Sequence, residues 1–181
     1  MLKWKGFTML ELVIVISIII FLSAIILPNY QAAASRFALE RSAYKLAQDI
    51  RRAAEMAMSA KELPGGGIPI GGYGVYFEVS SEWNKRYRLY ADTQPPEGNE
   101  FFTLADTIIE DIELEKGVVI QSINTPPNKV GVNFKPPAPL VKIKYSDTDE
   151  AAGVIITLAL EADLTKTRTV KVNKAGLIDV E

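Results

Sequence analysis

Hydrophobic and polar positions change rhythm twice along this chain. Residues 12–27 are almost pure hydrocarbon, interrupted only by Ser17 and Ser23. The run from Phe7 to Leu27 holds 21 residues, and a helix of that length, at 1.5 Å rise per residue, spans roughly 30 Å, one bilayer hydrocarbon core. Past Pro28, the apolar residues Leu39, Ala43, Leu46, Ile50, Ala54 and Ala57 recur at steps of three and four, with Arg41, Lys45, Gln48, Arg52 and Glu55 between them. That period predicts an amphipathic helix, and Leu63-Pro64-Gly65-Gly66-Gly67 is its expected stop. The simplest reading is one helix of about 55 residues. Pro28, which lacks an amide donor and crowds the preceding turn, is expected to kink or locally melt it.

From Ile68 onward the pattern becomes short β-rich runs separated by Gly, Pro, Asn and Asp. Strands are expected at 74–79, 86–91, 117–123, 130–134, 140–145, 154–160, 167–172 and 177–180. Glu110-Asp111-Ile112-Glu113-Leu114-Glu115 alternates acid with aliphatic and fits an edge strand or a short helix. The predicted class is α+β: a long N-terminal helix, half membrane-spanning and half amphipathic, packed on a C-terminal antiparallel sheet.

A chain of 181 residues suits one core plus an appendage. It has no Cys and no His, which excludes disulfides, thiolate zinc sites, Cys nucleophiles and His-dependent acid–base schemes. A net charge of −2 gives no field that would gather nucleic acid or an acidic partner. Lys3 and Lys5 precede the apolar run, so the positive-inside rule places the N-terminus in the cytoplasm.

Glu11 is the anomaly, because an ionisable side chain within a membrane segment is costly unless compensated. A cleaved secretory signal would need a shorter apolar region than this one and a small-residue cleavage site. A plain single-pass anchor explains the length but gives Glu11 and Gly6 no task. A carboxylate one turn into a helix can also reach up to the headgroups.

Lys5-Gly6-Phe7-Thr8-Met9-Leu10-Glu11-Leu12 resembles the class III signal of type IV pilins and type II secretion pseudopilins. The resemblance implies a leader of residues 1–6, cut between Gly6 and Phe7 by a membrane prepilin peptidase that also methylates the Phe7 amine. It further implies an assembly helix at 7–28, its amphipathic continuation at 29–63 and a globular head at 64–181, with Pro28 marking a region that can unwind in the filament. The partners implied are copies of this chain or other pilins, the peptidase and an inner-membrane assembly platform. Localisation is then the inner membrane, followed by a periplasmic or extracellular filament. Glu11 of an incoming subunit would pair with the Phe7 amine of its predecessor.

Gly72-Tyr73-Gly74-Val75-Tyr76-Phe77, Tyr87-Arg88-Leu89-Tyr90-Ala91-Asp92 and Thr169-Val170-Lys171-Val172-Asn173-Lys174-Ala175-Gly176 are similar to the H-type minor pseudopilin and FimT-like branch. A generic β-meander with turn glycines would give much the same pattern. Because some members of that branch bind DNA, Trp83, Lys85, Arg86, Tyr87 and Arg88 are a candidate contact with single-stranded nucleic acid, set against a solvated hairpin. No cofactor motif is present. Asp147, Asp149 and Glu150 supply oxygens of the kind calcium takes, but without EF-hand spacing they read better as a solvated acidic turn. No residues pair as a catalytic constellation, so a membrane-tethered hydrolase with two carboxylates is the weakest alternative. The expected mechanism is assembly, not catalysis.

Overall fold

A computed structural model describes residues 6–136 and 140–181, apart from the side chains of residues 27–29. Lys3 and Lys5 therefore lie outside the described residues. The chain divides into two compact units, residues 1–37 and 38–181. One helix, α1 (Met9–Met58), contributes to both.

In the first unit, residues 7–22 are exposed on every face of the helix. A window of 18 residues in α1 has a mean hydropathy of 3.0, with none of it buried, so the helix is long and apolar enough to cross a membrane. α1 runs unbroken through Pro28, so no interruption of the helix stands where a local melt was expected.

In the second unit, burial starts at Ala38 and follows the expected stripe. Leu39, Ala43, Leu46, Ile50 and Ala57 are buried, with Ala47 and Ala53 beside them, and only Ala54 lies at the margin. Each fully buried Leu or Ile contributes about 1.5–3 kcal/mol, so this stripe is what holds the helix to the rest of the unit. The helix ends at Met58, five residues before Leu63. The Ala60 amide bonds to the Ala57 carbonyl at 3.1 Å and the Lys61 amide to the Met56 carbonyl at 3.0 Å, with Ala60 at φ 45°. This is a Schellman ending built on a non-glycine residue, which is why the glycine run did not mark the stop.

Among the described residues nine strands follow: β1 (Gly72–Glu78), β2 (Arg86–Asp92), β3 (Thr107–Glu113), β4 (Val118–Ile123), β5 (Lys129–Lys135), β6 (Leu140–Lys144), β7 (Gly153–Leu160), β8 (Asp163–Asn173) and β9 (Ile178–Val180). Every pairing is antiparallel. They form two sheets instead of the one expected, sheet A in the order β3-β2-β1-β5-β6 and sheet B in the order β4-β7-β8-β9. The chain leaves sheet A at the turn before β4, where the Val118 amide bonds to the Glu115 carbonyl and Gly117 takes φ +84°. The acidic stretch 110–115 forms the end of β3, an edge strand, and the two residues after it, and its acids reach back to the helix. Arg41 makes two bonds to Glu115, at 2.7 and 2.6 Å, and Arg52 meets Glu110 at 2.7 Å.

The inner faces of both sheets join the helix stripe in one core that includes Tyr73, Val75, Phe77, Leu89, Val132, Ile143, Ile156, Leu158 and Val170. Within it the Tyr87 hydroxyl donates to the Asp49 carboxylate at 2.6 Å, and both residues are buried. Burial, with the Asp49 bond second, pushes the phenol's pKa well up, so it stays a donor. Tyr87→Phe leaves the buried Asp49 carboxylate with only the long Arg52 ion pair at 3.9 Å, and the expected loss is about 1.5–3 kcal/mol in chemical denaturation. A loss under about 0.5 kcal/mol would show that the bond contributes little.

Candidate functional site

The start of α1 is set by local chemistry. The Thr8 hydroxyl accepts the Glu11 amide at 3.2 Å, while Glu11 Oε2 accepts both the Thr8 amide and the Thr8 hydroxyl at 2.9 Å. This reciprocal pair is a capping box, with Thr8 as N-cap and Glu11 three residues on. It satisfies two amides that a helix start leaves without partners, a need that grows in lipid, where water cannot serve them. The signal Thr-x-x-Glu was present in the sequence and gives Glu11 a structural task that charge reasoning had not found.

Both bonds from Thr8 fall on Oε2, and Oε1 has no partner among the described residues. One oxygen therefore caps the helix while the other is free to receive a second donor. Gly6, Phe7 and Thr8 precede the helix in non-helical backbone, Phe7 is 83% exposed, and nothing lies within 4 Å of the place a Gly6 side chain would occupy. The Gly6–Phe7 bond thus sits in exposed, non-helical chain one residue before the cap, the kind of segment a peptidase can bind. Farther along, the Ser17 hydroxyl donates to the Val13 carbonyl at 2.8 Å, so this hydroxyl is absorbed by the helix's own backbone.

The basic-aromatic cluster is drawn together but is largely committed within the protein. The guanidinium carbons of Arg86 and Arg88 each lie 4.5 Å from the centre of the Trp83 ring. Arg88 is buried and makes a forked pair with Asp111 at 2.5 and 2.7 Å, and Lys85 meets Glu161 at 2.8 Å. Tyr87 points into the core. Arg86 is the cation of this group without an acidic partner among the described residues. The Arg88 pair holds the Asp111 carboxyl below its usual range.

Asp147, Asp149 and Glu150 are sequence neighbours whose carboxylates go separate ways. Asp147 accepts from the Asn99 amide at 3.0 Å and Asp149 from the Ser146 hydroxyl at 2.6 Å. Glu150 takes Lys142 at 2.7 Å and Lys174 at 3.1 Å, which lowers its pKa to about 2. Among the described residues no group of three or more acidic side chains is placed to hold a metal ion.

Comparison of the chain with family models, with curated proteins and with solved structures found no match. What the fold and the site define is an α+β protein with one N-terminal helix able to span a membrane, entered through an exposed, capped start.

Proposed function

We propose that this chain is a prepilin-like subunit of a type IV pilus or a type II secretion pseudopilus. It is processed between Gly6 and Phe7, methylated at Phe7, held in the inner membrane with its N-terminus in the cytoplasm, and then assembled into a helical filament. The observation that carries this reading is the arrangement at the helix start: an open Gly6–Phe7 bond, a cap one residue on, and a Glu11 carboxylate with one oxygen bound and one free. After cleavage Phe7 would bear an α-amine, a cation costly in lipid unless paired. The free Glu11 oxygen of a neighbouring copy is a partner of opposite charge at matching depth. The exposed apolar residues of the helix would be covered first by lipid and then by the helices of other copies. Unwinding near Pro28 belongs to that assembled state.

Gly6→Leu tests processing without disturbing the fold, since open space surrounds that position. In cells carrying the peptidase and assembly platform, the variant is expected to keep its full precursor mass and to yield no filaments. A variant still cut before Phe7, or one that assembles uncut, would overturn the reading.

A further inference from the structure

Between β2 and β3 the chain makes a long excursion, residues 93–106, across the outer face of sheet A. Phe101 and Phe102 carry a second, smaller aromatic cluster there: Tyr76 lies 5.8 Å from the Phe101 ring and 5.0 Å from the Phe102 ring, and Tyr90 lies 5.4 Å from Phe102. The excursion is tied down by two carboxylates. Asp92 accepts the amides of Gln94 at 3.3 Å and Glu100 at 2.6 Å. Asp106 accepts the amide of Thr93 at 3.2 Å and both the amide and hydroxyl of Thr103, at 2.7 and 3.0 Å. The consecutive amides of Thr93 and Gln94 go to Asp106 and Asp92 respectively, and the two carboxylates lie close enough for the charge of Asp106 to act on Asp92. They are 7% and 0% exposed, and neither forms an ion pair with Lys or Arg among the described residues.

We infer that residues 93–106 are a pH-responsive strap: it is held closed while the buried Asp92 carboxyl is protonated beside Asp106 and loosens when Asp92 ionises there. Two like charges buried together repel, and a proton on Asp92 removes the repulsion while its oxygens still accept the strap amides.

The other charged and titratable groups facing the strap form no ion pair with Asp92 or Asp106 among the described residues, although several of them also tie the strap down. From β5 and β6, Lys135 and Lys144 pair with Glu100 at 3.6 and 3.2 Å, and they also bond the Glu97 and Asn99 carbonyls. Lys129 lies 5.5 Å from the centre of the Phe101 ring. From β2 and β3, Arg88 is held by Asp111 beside Phe102. From β1, the Tyr76 hydroxyl donates to Glu78 at 2.8 Å. Asp147 holds Asn99. Burial keeps Tyr76 and Tyr90 neutral. The strap's floor is imperfect, since the Tyr90 hydroxyl and the Asn133 amide sit side by side without a hydrogen bond of good geometry. A strap over such a floor is a segment expected to open before the core does.

The sign follows from linkage. Burial first, and the neighbouring Asp106 charge further down, raise the Asp92 carboxyl above its ordinary 3.8, against the pull of the Glu100 amide. The stability this gives the closed strap is full below that ordinary value and is lost as pH rises through the raised one. Asp111, Glu115 and Glu150 are shifted the other way, so their contributions persist above the usual carboxylate range.

The test is amide exchange on the full chain in detergent at about pH 3.5 and about pH 8, below and well above the ordinary carboxylate range, each rate divided by its intrinsic rate. Opening measured at the Glu100 and Thr103 amides is expected to be several-fold rarer at the lower pH, because only there is the Asp92 carboxyl protonated in both the closed and the open strap. The Ile156 amide in β7 serves as the core reference. Asp106→Asn is expected to flatten the dependence, whereas Glu100→Gln retains it. Wild-type opening that is insensitive to pH, or more frequent at the lower pH, overturns the inference. So does an Asp106→Asn protein that keeps the full wild-type ratio. If that variant fails to fold, the wild-type ratio decides alone.

Discussion

Gly72→Ala is expected to be the most damaging single methyl group that can be added to the α+β unit. Gly72 opens β1 at φ +94°, and a Cβ there would sit 2.1 Å from the Phe134 carbonyl oxygen and 2.9 Å from the Lys135 Cα. Both are backbone atoms of the adjacent strand β5, so no side-chain rotation relieves the contact, and β1 must part from β5 at its end. Backbone strain of about 1–3 kcal/mol adds to the clash. The sum should exceed about 3 kcal/mol, near a 10 °C fall in Tm for a unit of this size. Gly117→Ala is the control, because Gly117 has φ +84° with nothing within 4 Å of its Cβ position. It carries strain without collision, and its loss should stay near 1 kcal/mol. Equal losses in the two variants would show that backbone conformation, not the approach of β5, sets the cost.

Glu11→Ala is expected to abolish filament formation while leaving the α+β unit folded. It removes the cap on Thr8 and the oxygen proposed to meet the Phe7 amine. An unpaired charge at that depth costs about 3 kcal/mol, or roughly 100-fold in each addition step. Glu11→Gln separates the two tasks. A glutamine at the third helical position still accepts the N-cap amide, so the cap survives while the charge is gone. If Glu11→Gln assembles like the unaltered chain and Glu11→Ala does not, Glu11 serves as a cap and the proposed ion pair is wrong. If both fail, the charge is what assembly needs.

Much of the fold was legible from spacing alone. The stripe from Leu39 to Ala57 is a local signal, repeated often enough that tertiary context only confirmed which face is buried. Eight strands were placed within a few residues of where they lie, because alternation and turn residues are also local. β3 was left undecided because its outward acids and inward Ile112 suit an edge strand and a short helix alike, and only its pairing with β2 decides between them. The division into two sheets was hidden for a related reason. It depends on which strands fail to pair, and β3 and β4, neighbours in sequence, do not.

The sites divide along the same line. The capping box is a four-residue signal and could have been read from Thr8-Met9-Leu10-Glu11. The basic cluster at Lys85 to Arg88 looked available because its neutralising acids, Asp111 and Glu161, arrive from distant strands and turns. The strap was invisible for that reason too. Asp92 and Asp106 bracket an unremarkable Pro- and Gly-containing loop, and nothing in its composition tells that both carboxylates turn inward to bind its amides.

The central claim is that this helix belongs to a processed filament subunit. Its most direct test is the mass of the N-terminal peptide from protein made alongside its own membrane machinery. A peptide beginning at Phe7 and heavier by one methyl group is the expected result, and it would establish the chain as a substrate of a prepilin peptidase. An intact leader beginning at Met1, or a cut beyond Ala32, would contradict it and leave Glu11 as a helix cap alone.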